Sequence, residues 1–192
     1  MKTHTLFTIV FTCTALWSVG QNIAPAPADK AVIYFVRPSG MGFAINFSYF
    51  DSTKLIGKFN GPKYIRYECD PGKHLFWARS ENRDFVEADV EAGKIYFIEA
   101  IVQMGALKAA VNLDPVDPKD SKRMKKIMKL LSKKPSESFT QEELTTEENS
   151  MQDVVVRGLE KYNNDKQKGT AWPQLVKSMY YEEVLMTTNN KP

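Results

Sequence analysis

Histidine and cysteine are scarce in this chain, two of each among 192 residues, and the scarcity removes several chemistries at once. His4 and Cys13 fall within the first twenty residues, which read as a cleaved leader, so the remainder keeps only Cys69 and His74. One cysteine makes no intramolecular disulfide, so stability has to come from a hydrophobic core. A zinc site would have to be assembled from Cys69, His74 and carboxylates, without the ligand pairs such sites use, and no metal or cofactor is expected. A serine–histidine–acid triad would have His74 as its only base, and no G-x-S-x-G nucleophile is present; no catalytic residue is assigned. An excess of one charge is missing as well. The formal net charge is +3, lowered by one when Lys2 is removed, which is no footprint for nucleic acid.

The leader is read from Lys2, the apolar run Leu6 to Trp17 and the small residues Ser18 and Gly20. That order is that of a secretory signal peptide, residues 1–20, and cleavage is expected after Gly20. The run is too short and too broken by threonine to cross a bilayer, and no other membrane segment follows it. Export to the periplasm or the extracellular space is therefore expected. An alternative is a lipid anchor on Cys13, although Phe11 and Thr12 are a poor match to the small residues that such processing wants.

Roughly 170 residues remain, enough for a sizeable core. Residues 21–30 read as a linker. Charges are scattered singly as far as Pro115 and then come in blocks, lysines from Lys119 to Lys134 and glutamates from Glu137 to Glu148. This places a β-domain at 31–116 and a helical extension at 117–192. Within the first, "AVIYFV" (31–36) and "IYFIEAIV" (95–102) are nearly continuous in apolar residues and suit interior strands. Phe43, Ile45, Phe47 and Tyr49, then Val86, Ala88 and Val90, then Leu107, Ala109, Val111 and Leu113 alternate with mostly polar or small residues, as half-buried strands do. Turn signals at short intervals join them, with no helix-length stretch between. The expected fold is mainly β, an antiparallel sandwich of about eight strands, immunoglobulin-like or transthyretin-like.

"CDPGKHLFWARS" (69–80) gathers a cysteine, an aspartate, a histidine and a tryptophan, but the period of two sends His74 and Trp77 to opposite sides of the sheet. His74 is therefore read as structural. Trp77 and Arg79, or Tyr64 and Tyr67, are the candidates for a ligand-stacking surface, against the alternative of core packing. "SGMGFA" is no dinucleotide loop, because Ile45 stands where the third glycine belongs and a strand rhythm follows.

"AVIYFVRPSG", "CDPGKHLFWA" and "EAGKIYFIEA" together resemble, in order and spacing, the bacterial envelope domain family of unknown function DUF2846, over roughly residues 30–115. The turn chemistry is similar to that of PEGA-type domains. The resemblance implies a secreted or lipid-anchored protein built on a small β-sandwich. Its recurring positions match Arg37, Pro38, Pro71, Gly72, His74, Gly93, Lys94 and Tyr96, mostly turn and core residues, and it brings no catalytic residue.

Beyond the boundary Met124, Ile127, Met128 and Leu131 space an amphipathic helix over 118–133 with a lysine face. Thr140 and Glu143 form a capping box for a second, which continues or restarts at Ser150 with Val154, Val155, Leu159 and Tyr162 on one side. The lysine face is expected to be solvated and partly neutralised by the acidic helix after it; the alternative is contact with an anionic membrane surface through Lys125, Lys126 and Lys129. Trp172 to Leu185 is too apolar to float freely and is expected to dock on the sandwich or on a partner. The function expected is that of a non-enzymatic envelope module binding an unknown protein or glycan. The alternatives are a hydrolase with its site at the sandwich loops and a membrane-surface lipoprotein.

Overall fold

The two apolar runs form adjacent central strands of one sheet, β1 (Ala31–Val36) and β7 (Ile95–Met104). The computed structural model of the chain describes residues 23–104 and 109–182. The expected leader at 1–20 with Cys13, the Leu107 end of the third alternating stretch, and Leu185 lie outside them. Strands β2 (Phe47–Asp51), β3 (Lys54–Phe59), β4 (Tyr64–Cys69), β5 (Gly72–Arg79) and β6 (Arg83–Val90) lie between the two runs, and β8 (Ala109–Pro115) follows. The α-helices are α1 (Ser121–Leu131), α2 (Gln141–Ser150) and α3 (Gln152–Gln167), followed by a two-residue β9 (Gln174–Leu175) and a single 3-10 turn (Lys177–Met179). The fold is mainly β, two sheets packed as a sandwich, ordered β4-β1-β7-β8 and β3-β2-β5-β6-β9.

Two pairings depart from the antiparallel expectation: β1 with β7 and β6 with β9 are parallel. A parallel pair needs a long return path, usually a helix, but here the return from β1 to β7 is made largely of the opposite sheet's strands. The turn Asp70–Gly72 likewise closes no hairpin, because β4 and β5 belong to different sheets. Gly72, at φ 121°, lets the chain swing from one layer to the other.

Every residue of β1 is buried, which follows from a sheet covered on both faces. Ile33, Phe35, Tyr96 and Ile98 point between the sheets, whereas Val32, Tyr34 and Phe97 point outward to Met124, Ile127 and Met128 of α1. On the opposite outer face Phe50, Trp77 and Phe85 meet Val154 and Val155 of α3. The molecule is thus layered helix, sheet, sheet, helix, and the segment beyond Pro115 supplies both outer layers. Thr140 and Glu143 form the expected capping box at the start of α2.

Crossing from α1 to α2, the chain passes round one edge of the sandwich. The Glu137 amide donates to the Tyr64 carbonyl on β4, 2.8 Å, and Phe139 seals the gap beside Gly57. The other edges are engaged too. Asn82 and Asp84 side chains accept from the Val111 and Leu113 amides of β8 at 2.7 and 2.6 Å, Glu148 accepts from Leu55 on β3, and β9 lies along β6. Residues 172–182 therefore dock on their own sandwich: Leu175 is buried, Trp172 packs on Phe85, and Met179 and Tyr180 reach the inter-sheet core.

Gly158 is where α3 comes closest to its sheet. A Cβ there would stand 2.7 Å from a ring carbon of Trp77, and that ring is stacked 4.0 Å from Phe50 with nowhere to retreat. Gly158→Ala should therefore destabilise by about 1–2 kcal/mol, because the steric cost of overpacking outweighs the gain in helix propensity of about 1 kcal/mol. Urea denaturation monitored by circular dichroism reads this directly; a more stable variant would place α3 further from the sheet.

Candidate functional site

His74, the one histidine among the described residues, sits in a polar group between the two sheets. Asp51 ends β2 and His74 opens β5, its neighbour, while Tyr67 and Cys69 reach across from β4 in the other sheet. The two His74 ring nitrogens lie 2.8 Å from Asp51 Oδ2 and 2.8 Å from the Asp70 carbonyl oxygen. Tyr67 donates its hydroxyl to the same Asp51 oxygen, 3.1 Å, and the imidazole stacks on Phe76 with centroids 5.2 Å apart. Hydrogen bonding to Asp51, then to Cys69, raises the His74 pKa from 6.5 to about 10 against the opposing effect of burial.

An imidazolium donates from both nitrogens, and both acceptors are in place. His74 is thus a cation at neutral pH with no lone pair to offer as a base. Because its pKa is raised on folding, its contribution to stability is fully present below about pH 6.5 and is lost as pH rises through about 10. The group ties three strands and two sheets together. Among the described residues no set of three or more His, Cys, Asp or Glu side chains is arranged to hold a metal ion.

The four candidate stacking residues do not form one surface. Trp77 is fully buried beneath α3 and donates Nε1–H to the Ser52 carbonyl at 2.8 Å. Tyr64 is buried on the opposite outer face and donates to the Lys134 carbonyl. Tyr67 faces the sandwich interior, and Arg79 sits half-buried at the far end of β5.

A different locus stands out at the end of the sandwich where β1 finishes. Arg37 follows β1 and has no exposed surface. Its Nη1 donates to the Ile45 carbonyl at 2.7 Å and its Nη2 to the Met41 and Gly42 carbonyls at 2.9 and 2.5 Å, with the guanidinium 4.5 Å above the Phe47 ring. Among the described residues no carboxylate pairs with it, and burial lowers its pKa. A planar fork of donors reaching three carbonyls of one loop is a task that lysine cannot perform. Gly42, at φ 60°, completes the seat: a Cβ there would meet Ile45 at 2.8 Å and Val102 at 3.1 Å.

The loop held in this way packs Ile45 against the core and turns Phe43 and Met41 outward. Phe43 is 71% exposed and Met41 57%. The alternating rhythm from Phe43 had suggested a strand with Phe43 on its buried face; residues 41–44 form turns instead, and β2 begins only at Phe47. The rhythm misled because Arg37, six residues upstream, claims the carbonyls that strand pairing would have used.

Beside this loop lies an open cavity of about 480 Å³ whose walls include Pro38, Ser39, Lys126, Lys129, Lys133 and Lys134. The four lysines are exposed and make no ion pair among the described residues. Glu99, an acid in the same wall, is held by Arg123 at 2.9 Å. Lys125 is exposed but does not line the cavity. The expected neutralisation by the acidic helix does not occur, since α2 lies across the molecule against β3, where Glu147 pairs with Lys58 at 2.7 Å. Comparison with known protein families, with curated proteins and with solved structures gives no match for this chain.

Proposed function

We propose that this chain is an exported, non-enzymatic module of the cell envelope that docks on an envelope component through the end of the sandwich carrying the 38–46 loop. One observation carries the reading: a loop gripped by a buried arginine holds Phe43 and Met41 in solvent beside a cavity walled by unpaired lysines. Isolated exposed apolar residues need no explanation. A pair held out by a pinned backbone, next to uncompensated charge, has the composition of a contact surface.

Other docking modes have less support. Addition of a partner strand needs a free edge; β4, β3 and β8 each have part of theirs engaged, and β6 is flanked by β9, which is only two residues long. A hydrolytic role would rest on His74, whose two nitrogens are committed within the structure. Export is in keeping with the leader read from residues 1–20, and the motif resemblance over residues 30–115 is in keeping with an envelope setting.

A photo-crosslinking residue placed at Ser39, in cells, should form adducts with an envelope component, while the same residue at Glu160 on the outer side of α3 should form few. The opposite distribution would refute the assignment. So would turnover of substrate by the purified chain that disappears in His74→Ala.

A further inference from the structure

Resting on that reading, we infer that the component engaged is the anionic surface of a lipid bilayer, with Phe43 and Met41 entering the acyl boundary and Lys126, Lys129, Lys133 and Lys134 holding headgroup phosphates. Peripheral attachment needs two contributions, apolar area buried at the interface and attraction to anionic lipid. Both are present at this end of the molecule, and they are contiguous. Pro38 and Ser39 belong to the cavity wall, and Met41 follows two residues later on the same pinned loop, its amide donating to Ser39 Oγ at 3.1 Å.

The lysine arrangement suits a plane of phosphates better than a single small anion. Lys122, Lys126 and Lys129 recur at helical spacing along one stripe of α1, and Lys133 and Lys134 follow in the turn just after its end. The α1 residues between them, Ile127, Met128 and Leu130, are buried against the sheet, so the helix lies flat on the sandwich with its charged side outward. Acidic residues that would repel the surface are removed or occupied: α2 is across the molecule, Glu99 is bound by Arg123, and Glu137 is bound by Lys63 at 3.2 Å. Attraction to anionic lipid is worth about fivefold in affinity per lysine near the surface. A buried phenylalanine contributes about tenfold or more.

The test is sedimentation with vesicles. Every described strand and helix lies within residues 23–182, so the chain from Gln21 carries them all without the apolar leader. Phosphatidylcholine vesicles with phosphatidylglycerol as about a third of the lipid should bind it, and pure phosphatidylcholine should not. Replacing Lys126, Lys129, Lys133 and Lys134 together by glutamine should weaken binding by about 100-fold or more, and Phe43→Ser by about tenfold or more. Lys168→Gln, at an exposed lysine just past α3 that makes no ion pair among the described residues, should change nothing. All these positions are exposed, so unaltered urea midpoints will show that the variants fold.

Absence of binding to anionic vesicles overturns the inference, as does binding that neither the lysine replacements nor Phe43→Ser weakens. Complete competition by millimolar inorganic phosphate would also overturn it, in favour of a site for a free anion. If vesicles fail while a residue at position 39 still crosslinks to an envelope protein or glycan, the docking role stands and the lipid assignment alone falls. If both fail, so does the reading of this end as a docking surface.

Discussion

Trp77→Ala should lower folding stability by about 4 kcal/mol. The indole has no exposed surface and is stacked 4.0 Å from Phe50, with the planes 10° apart. The helix α3 rests on it through Gly158, so truncation empties space that neither the sheet nor the helix is free to fill. Its Nε1–H also satisfies the Ser52 carbonyl in the β2–β3 turn, 2.8 Å. Trp77→Phe isolates that hydrogen bond and the smaller loss of volume, and should cost about 1–2 kcal/mol. Urea unfolding followed by circular dichroism separates the two. A cost for Trp77→Ala below about 1 kcal/mol would mean that the indole is solvated, as a ligand-stacking residue would be.

Arg37→Ala should cost about 3 kcal/mol and also release the 38–46 loop. Removing a buried charge is not destabilising in itself, since a well-packed apolar replacement is often tolerated. Here, however, the Ile45, Met41 and Gly42 carbonyls each lose the hydrogen bond that Arg37 donates, Gly42 keeping that from the Ile45 amide, and a fully buried side chain leaves a void beside Phe47. Arg37→Lys should recover little, because one ammonium on a shorter stem cannot span Met41, Gly42 and Ile45. Limited proteolysis gives the second readout: cleavage near Met41 to Phe43 should be slow in the wild type and fast in both variants. Cleavage at equal rates in all three would show that the loop is held by something other than Arg37.

Much of the β-sandwich was legible in the residues before Asp114, and the reasons it was legible also explain where reading failed. The runs at 31–36 and 95–102 are apolar on both faces because each strand has a sheet on one side and a helix on the other, and continuous hydrophobicity records that. The alternation of Val86, Ala88 and Val90 records an inward-facing set, but Phe85 is also buried, beneath α3. Chain order misled at Asp70 to Gly72, where a turn that looks like a hairpin instead changes sheets. It misled again after Lys134, where glutamates adjacent in sequence are carried round the sandwich edge to the opposite face. Asp51 could not be found as the partner of His74 by spacing, since only the pairing of β2 with β5 brings them together.

The proposed docking surface is visible in the sequence only in pieces. The sequence shows Lys126 and Lys129 on a helix face, "SGMGFA" as a glycine-bearing stretch that is no dinucleotide loop, and Arg37 only within a motif of family resemblance. Their conjunction depends on where β1 ends and on where α1 crosses its sheet, neither of which periodicity reports.

Whether the polar group inside the sandwich is a fastening or a reactive centre is decided by the protonation of His74. The chain from Gln21 contains no other histidine, so its imidazole can be titrated by NMR without ambiguity. The ring should stay protonated through neutral pH and lose its proton with a midpoint near 10, as a cation held by Asp51 must. A midpoint near the ordinary 6.5, leaving a free base at neutral pH, would contradict the structural role of His74 and return catalysis to consideration.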